Sequence, residues 1–223
     1  MAGQVRINGH PARKASDAVN SQDQVQLLAP EKFVSRGGFK LEHALQHFSL
    51  NVTGLTAVDL GASTGGFTDC LLQSGAARVY AVDVGHGQLA WKLRQDSRVV
   101  VMERTNARTL TPAGFPTPFH PADLVVIDCS FISLTKLLES ALRLVKSGGI
   151  IVALIKPQFE AGKAEVDKGE GVITDPAVHE RVIRELHDFV GTIDGAGWVG
   201  LTESPLLGPA GNREFLTLIE KKR

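Results

Sequence analysis

From Val58 onward, short runs of β-forming residues alternate with stretches of helical periodicity, and this alternation constrains the fold more than any other feature of the chain. Strands are predicted at 57–60, 79–84, 99–103, 124–128, 150–155 and 215–220. Three of them are almost unbroken Val, Ile, Leu and Ala, as expected of central strands covered on both faces. Helices are predicted between them, at roughly 66–74, 89–95, 134–145 and 177–196. Strand and helix in turn are the signature of an α/β fold around a mostly parallel sheet. Asp175 and Pro176 open the last helix with a capping carboxylate and a proline in the first turn. Lys146, Ser147, Gly148 and Gly149 stop the helix before it and lead into the next strand.

Two segments stand outside this rhythm. Residues 1–30 contain Val5-Arg6-Ile7-Asn8-Gly9 and then Val25-Gln26-Leu27-Leu28, which read as a small β-hairpin unit appended to the main domain, 31–223. The stretch 160–171 is charged and holds Gly162, Gly169 and Gly171, which predicts a mobile loop just past a strand end. With 223 residues, 43% of them hydrophobic, the chain can bury one sizeable core and a small appendage. The formal net charge is zero, so no overall positive field draws nucleic acid. The first forty residues are nevertheless locally basic, with Arg6, Arg13, Lys14, Lys32, Arg36 and Lys40 against Asp17, Asp23 and Glu31. Two cysteines, Cys70 and Cys129, exclude a disulfide scaffold and suit reduced, buried thiols. No signal-peptide pattern opens the sequence, and no apolar run reaches the length of a membrane span. A cytoplasmic protein without a membrane partner is the expectation.

The densest local signal is Val58-Asp59-Leu60-Gly61-Ala62-Ser63-Thr64-Gly65-Gly66-Phe67, a strand that runs through an acidic residue into a glycine-rich turn and a helix. A dinucleotide site would place its second glycine where Ser63 stands and seat a pyrophosphate on the helix N-terminus. Asp59 would repel a pyrophosphate, yet its carboxylate can accept hydrogen bonds from a ligand's ammonium group. S-adenosylmethionine carries an ammonium and a sulfonium, so the variant favours it over NAD. Asp83, with Val84 beside it, follows 22 residues after Gly61, where a carboxylate can accept both ribose hydroxyls of a nucleoside. Asn106 and Ala107, after the third strand, are placed to flank an adenine. The expected cofactor set is therefore Asp59, Gly61, Ala62, Ser63, Gly65, Gly66, Phe67, Asp83, Val84, Asn106, Ala107 and Asp128, and no metal-ligand set is assigned.

Further blocks carry a resemblance. They are Ser35-Arg36-Gly37-Gly38-Phe39-Lys40-Leu41, then 126–134 around Asp128-Cys129-Ser130-Phe131, then Leu154-Ile155-Lys156-Pro157-Gln158-Phe159-Glu160, and last Gly211-Asn212-Arg213-Glu214-Phe215-Leu216. Together with the Asp59–Phe67 turn they resemble the FtsJ-like ribose 2′-O-methyltransferases. The resemblance is stronger still to the TlyA-type family, known both as haemolysin A and as ribosomal RNA cytidine 2′-O-methyltransferase. It implies a Rossmann-like S-adenosylmethionine-dependent methyltransferase acting on ribosomal RNA or ribosomal subunits. It also implies a catalytic tetrad of Lys40, Asp128, Lys156 and Glu214. Family members begin with an S4-like RNA-binding domain, and the segment 5–28 resembles the tail of one. Arg13, Lys14 and Arg36 are then candidates to touch RNA phosphate.

Elementary chemistry agrees with the tetrad. Four charged groups are costly to bury unless they pair, so mutual proximity is the economical arrangement. A ribose hydroxyl holds its proton tightly, and a base must remove it as the oxygen attacks. Lys156, directly after an apolar strand, is the candidate base. Amino-group methylation is the nearest rival, but Asp128-Cys129-Ser130-Phe131 lacks the two prolines of the Asp-Pro-Pro-aromatic box. Carbon-5 methylation would need Cys129 as nucleophile. A lytic protein would need an amphipathic or spanning segment, and the best candidate, the helix over 179–190, reads as an ordinary helix covering a sheet.

Overall fold

The computed structural model describes residues 5–12, 14, 16–27 and 31–223. The chain divides into two compact units, Met1–Lys32 and Phe33–Arg223. In the first, β1 (Val5–Ile7) pairs antiparallel with both β2 (His10–Pro11) and β3 (Val25–Leu27). Asn8 and Gly9 adopt positive φ and turn the chain between β1 and β2. Asn8 and Asp23 then hydrogen-bond side chain to side chain at 2.8 Å.

The second unit follows the order α1 (Gly37–His47), β4 (Thr56–Leu60), α2 (Gly66–Gln73), β5 (Arg78–Val82), α3 (Trp91–Arg94) and β6 (Val99–Met102). It continues with β7 (Ala122–Ile127), α4 (Thr135–Leu144), β8 (Val145–Ile155), α5 (Pro157–Glu160), α6 (Lys163–Lys168), α7 (Pro176–Thr192), β9 (Ala196–Glu203) and β10 (Phe215–Lys221). The sheet order is β6-β5-β4-β7-β8-β10-β9. The first five strands run parallel, and β10 is antiparallel to both its neighbours. Strand order reverses between β4 and β7, and ligands of open α/β sheets bind outside the carboxyl ends of strands at such a switch point.

Alternate residues of each strand point to opposite faces, so one sheet builds two cores. Val58, Leu60, Tyr80, Val125, Ile127 and Ile151 meet α4 and α7. Ala57, Val79, Leu124, Val126 and Val152 meet the buried faces of α1 and α2. Helix α7, which spans the amphipathic stretch 179–190, has its apolar stripe Val182, Leu186 and Val190 buried in the first of these cores. Among the described residues, no helix is long and apolar enough to cross a membrane.

Four expectations are corrected. The helix predicted to reach 196 ends at Thr192, and Ala196–Glu203 is a strand, because Gly195 at φ +73 turns the chain back. Residues 145–149 belong to β8 rather than to a helix end. The stretch predicted as a loop over 160–171 contains α6, where Gly162 N–H is bonded to Glu165. The strand predicted to reach 84 ends at Val82, because the Asp83 carboxylate captures the Gly85 N–H at 2.7 Å and draws the chain out of the sheet. Helix α1 went unread: it opens on two glycines with no side-chain cap, which hides it from propensity.

Candidate active site

Asp83, Asp128 and Lys156 follow the carboxyl ends of parallel strands β5, β7 and β8, on the two sides of the switch point. On the β4–β6 side the backbone does the positioning. Gly61 has φ +86, and a side chain there would come within 2.7 Å of the Asp128 carbonyl, so only glycine lets the ends of β4 and β7 approach this closely. Gly61 and Ala62 N–H both donate to the Val82 carbonyl, at 2.9 and 3.0 Å. Asp83 then accepts the Ser63 N–H on one oxygen and the Gly85 N–H on the other, each at 2.7 Å. Each carboxylate oxygen keeps a further lone pair for a ligand.

Beside this turn lies a cavity of about 470 Å³, lined by Gly61, Ser63, Val82, Asp83, Val84, Gln88, Thr105, Asn106, Ala107, Asp128, Cys129, Ser130, Phe131, Ile132 and Leu137. Its lining holds two carboxylates and no cationic side chain. Such a wall repels a pyrophosphate and receives a cationic ligand. An apolar part, Val84, Ala107, Ile132 and Leu137, suits a flat heterocycle.

Asp59 is fully buried in β4 behind the cavity wall. Its Oδ2 accepts the Thr68 hydroxyl at 2.7 Å, while Oδ1 has no hydrogen-bond partner among the described residues. Burial pushes its pKa up to about 7 against the Thr68 bond, with the charges of Asp128 and Asp83 adding to the rise. Ala62 and Phe67 are also buried, Phe67 in the core shared with α1 and α2. Gly65 and Gly66 line packing contacts instead of the cavity. A Cβ on Gly65 would strike Leu93, and one on Gly66 would strike Ser35 and the Gly38 backbone.

On the β7–β10 side, side chains do the positioning, and they come from four distant stretches. Asp128 follows β7, and Lys156 follows β8, which lies beside it. Glu214 precedes Phe215, whose strand partner is Ile155, so Glu214 and Lys156 stand one step beyond the last registered pair. Lys40 reaches in from α1. Lys156 Nζ pairs with Asp128 Oδ1 at 2.7 Å and donates to Ser130 Oγ at 2.9 Å. Lys40 Nζ pairs with Glu214 Oε2, both side chains almost wholly buried. The tetrad thus forms as two ion pairs, and Gly37, on the Lys40 helix, sits so close to Asp128 that a Cβ there would lie 3.6 Å from its Oδ2.

Several contributors were not singled out from sequence. Ser130 touches Lys156, Thr68 touches Asp59, and Gln88 and Thr105 line the cavity. Glu160 accepts the Ser133 hydroxyl at 2.6 Å and the Leu134 N–H at 2.7 Å, binding the segment after β8 to the start of α4. Ser130 and Glu160 both lie inside the quoted blocks, which was the available signal. Phe131 is 91% exposed at φ +63, its ring 5.1 Å from that of Phe159, and Lys156 Nζ lies 6.0 Å from the Phe159 ring. Arg36 donates to the Leu207 carbonyl at 2.7 Å. Lys14 is exposed in the first unit, and Arg13 lies outside the described residues.

The FtsJ-like methyltransferase family profile matches residues 33–221. The chain belongs to this family. It is 47% identical over 218 residues to the 16S/23S rRNA (cytidine-2′-O)-methyltransferase TlyA of Mycobacterium tuberculosis, an alignment covering 96% of the chain and 79% of that protein. It is 40% identical to Hemolysin A of Brachyspira hyodysenteriae, over 97% of the chain and 88% of its relative. A solved candidate hemolysin of Lactococcus lactis superposes with a TM-score of 0.82 at 48% identity, over 86% of this chain and 90% of that one. The chain is an S-adenosylmethionine-dependent methyltransferase of Rossmann-like fold.

The chemistry of the cavity fits that cofactor, since two carboxylates suit a cationic ligand and the apolar wall suits a heterocycle. Cys129 is unsuited to act as a nucleophile. Burial, together with the nearby Asp128 and Asp59, pushes its thiol up to about 12, and Sγ donates to the Leu60 carbonyl at 3.3 Å.

Proposed function

We propose that this methyltransferase modifies the ribose 2′-hydroxyl of a cytidine in ribosomal RNA. The observation that carries the reading is the pairing of Lys156 with Asp128 at the cavity wall, beside the buried Lys40–Glu214 pair. An amino group on a base needs no such arrangement, whereas a ribose hydroxyl needs a base to take its proton. The 47% identity to a (cytidine-2′-O)-methyltransferase of 16S and 23S rRNA supports the same substrate.

In this reading Asp83 accepts the cofactor's ribose hydroxyls, Asn106 and Ala107 flank its adenine, and the Asp59–Gly66 turn shapes the cradle. The bound cofactor supplies an electrophilic methyl group on a sulfonium. Lys156 Nζ takes the proton of the 2′-hydroxyl as the oxygen becomes a nucleophile. Asp128 holds Lys156 in place, and Glu214 neutralises Lys40 within the buried cluster. The exposed Phe131 and its neighbour Phe159 offer a ring surface on which an unstacked base can rest beside Lys156. Arg36, Arg13 and Lys14 contact RNA phosphate, the latter two from the S4-like segment over 1–30.

The test is incubation with methyl-labelled S-adenosylmethionine and either free ribosomal RNA or ribosomal subunits. Label should enter RNA at a cytidine and make the following linkage resistant to alkali, because a 2′-O-methyl group removes the internal nucleophile. Label at an alkali-cleavable position would place the methyl group on a base and overturn the reading.

A further inference from the structure

How Lys156 can accept a proton depends on what surrounds its nitrogen. Its side chain is about nine-tenths buried, and two acceptors touch Nζ, Asp128 Oδ1 at 2.7 Å and Ser130 Oγ at 2.9 Å. The lysine ammonium has three donors and no acceptor. The neutral amine that acts as a base has two hydrogens and one lone pair at the corners of a tetrahedron completed by Cε. Two acceptors in contact therefore engage both hydrogens, and the lone pair is left with the single remaining direction.

Asp128 and Ser130 serve together because both follow directly on the end of β7, two residues apart, and both reach Lys156 Nζ. Cys129 between them points elsewhere, to the Leu60 carbonyl at 3.3 Å. The next residue, Phe131, turns the chain at φ +63, a conformation uncommon for a bulky side chain. Ser130 also lines the cavity, so the residue that touches Lys156 borders the space where the reactants meet. Asp128 alone would fix one N–H and leave the amine free to rotate about it. A second acceptor removes that freedom.

We propose that Ser130 is a positioning residue for methyl transfer: its hydroxyl oxygen and the Asp128 carboxylate engage the two hydrogens of neutral Lys156 and so aim the nitrogen lone pair at the substrate hydroxyl. The inference rests on the reading of Lys156 as the base. In the step so arranged, the O–H bond breaks and its proton joins the Nζ lone pair, giving an ammonium. The oxygen's freed electron pair forms the bond to the methyl group, and the electrons of the broken carbon–sulfur bond stay on sulfur. The ammonium then keeps its bonds to Asp128 and Ser130 and carries its third hydrogen toward the product oxygen, until solvent takes it.

The experiment measures single-turnover methylation of ribosomal subunits at saturating S-adenosylmethionine for the parent, Ser130→Ala, Ser130→Thr and Lys156→Ala. A misaimed reacting group costs up to about 100-fold, so Ser130→Ala should slow the step about 10- to 100-fold. Cofactor affinity should change less than about threefold, since Ser130 acts through Lys156. Ser130→Thr, which keeps the hydroxyl, should recover most of the rate. A Ser130→Ala enzyme as fast as the parent, with Lys156→Ala inactive, would overturn the proposal. So would a folded Ser130→Thr variant as slow as Ser130→Ala. An active Lys156→Ala enzyme would instead overturn the base reading itself, which is a separate result.

Discussion

The two sides of the switch point solve the problem of placing functional groups in different ways. On the β4–β6 side, the turn from Gly61 to Gly66 is held by backbone hydrogen bonds to Val82 and by Asp83, all within a short stretch of chain. On the β7–β10 side, nothing local fixes Lys40 or Glu214, which are 174 residues apart and are held by each other. The first arrangement tolerates changes in distant packing. The second depends on it, because a buried charge keeps its place only while its partner does. Under the proposed function the first side serves chiefly cofactor affinity and the second the rate, a division that substitutions at specific residues can break.

The largest effect is expected on the rate side. Lys156→Ala should lower methyl transfer by about two to four orders of magnitude while leaving S-adenosylmethionine affinity, read by titration calorimetry, nearly unchanged. Lys156→Arg should be nearly as slow, since a guanidinium does not give up its proton at usable pH. An active Lys156→Arg enzyme would end the base reading and leave Lys156 as an electrostatic support.

On the affinity side, Asp59 makes a prediction about pH. Its folded pKa of about 7 lies above the usual carboxylate value, so the folded state binds a proton more tightly than the unfolded state does. The stability it contributes is fully present below about pH 4 and is lost as pH rises through about 7. Three units correspond to about 4 kcal/mol at most. Denaturant unfolding of the ligand-free protein should show this decline, and Asp59→Asn should flatten it. Glu103 acts in the opposite sense and in another window: the Gly87 N–H, with Arg94 and His86, holds its carboxyl down at about 2, so its contribution is lost only as pH falls toward 2. An Asp59→Asn protein with the parent's pH profile would show that the Asp59 charge is satisfied in the fold.

Asp83→Ala should weaken cofactor binding about 10- to 100-fold, the loss of charge-assisted hydrogen bonds to hydroxyls, with little change in single-turnover rate at saturation. A matching fall in rate would blur the division between the two sides. Gly66→Ala gives the smallest effect and probes the seam. Its new methyl would strike Ser35 and Gly38, which lead into the helix that carries Lys40. Overpacking costs about 1–3 kcal/mol, and here it should lower both affinity and rate modestly. A change in affinity alone would mean that the Lys40 helix is indifferent to the cofactor turn.

Much of this was legible in the sequence, and for identifiable reasons. The parallel strands show as apolar runs because both their faces are buried, and the Gly61–Gly66 turn shows because Gly61 and Gly65, both at positive φ, favour glycine within a few residues. Helix α1 was not legible, since Gly37 and Gly38 are there to let Phe33 and the α2 terminus approach, a tertiary requirement that lowers local helix propensity. Strand β9 was hidden by its own glycines and by a helical pattern running into it. Ser130 was quoted within a block, yet nothing in a single residue announces a contact with a lysine 26 positions away.

The four charged residues of the tetrad were implied by a family resemblance, whereas the sequence by itself determined the α/β class and the glycine-rich turn with Asp83 beyond it. Each of these is written in local pattern or in a short motif, because backbone conformation and strand burial act on neighbouring residues. Only the tertiary structure decided that the four charges pair as Lys156 with Asp128 and Lys40 with Glu214, and that Ser130 joins the first pair. It also decided that Asp59 lies behind the cavity wall with one oxygen unpartnered. The reason is physical: ion pairing and desolvation depend on distance through space in a poorly polarisable interior, and spacing along the chain does not encode that distance.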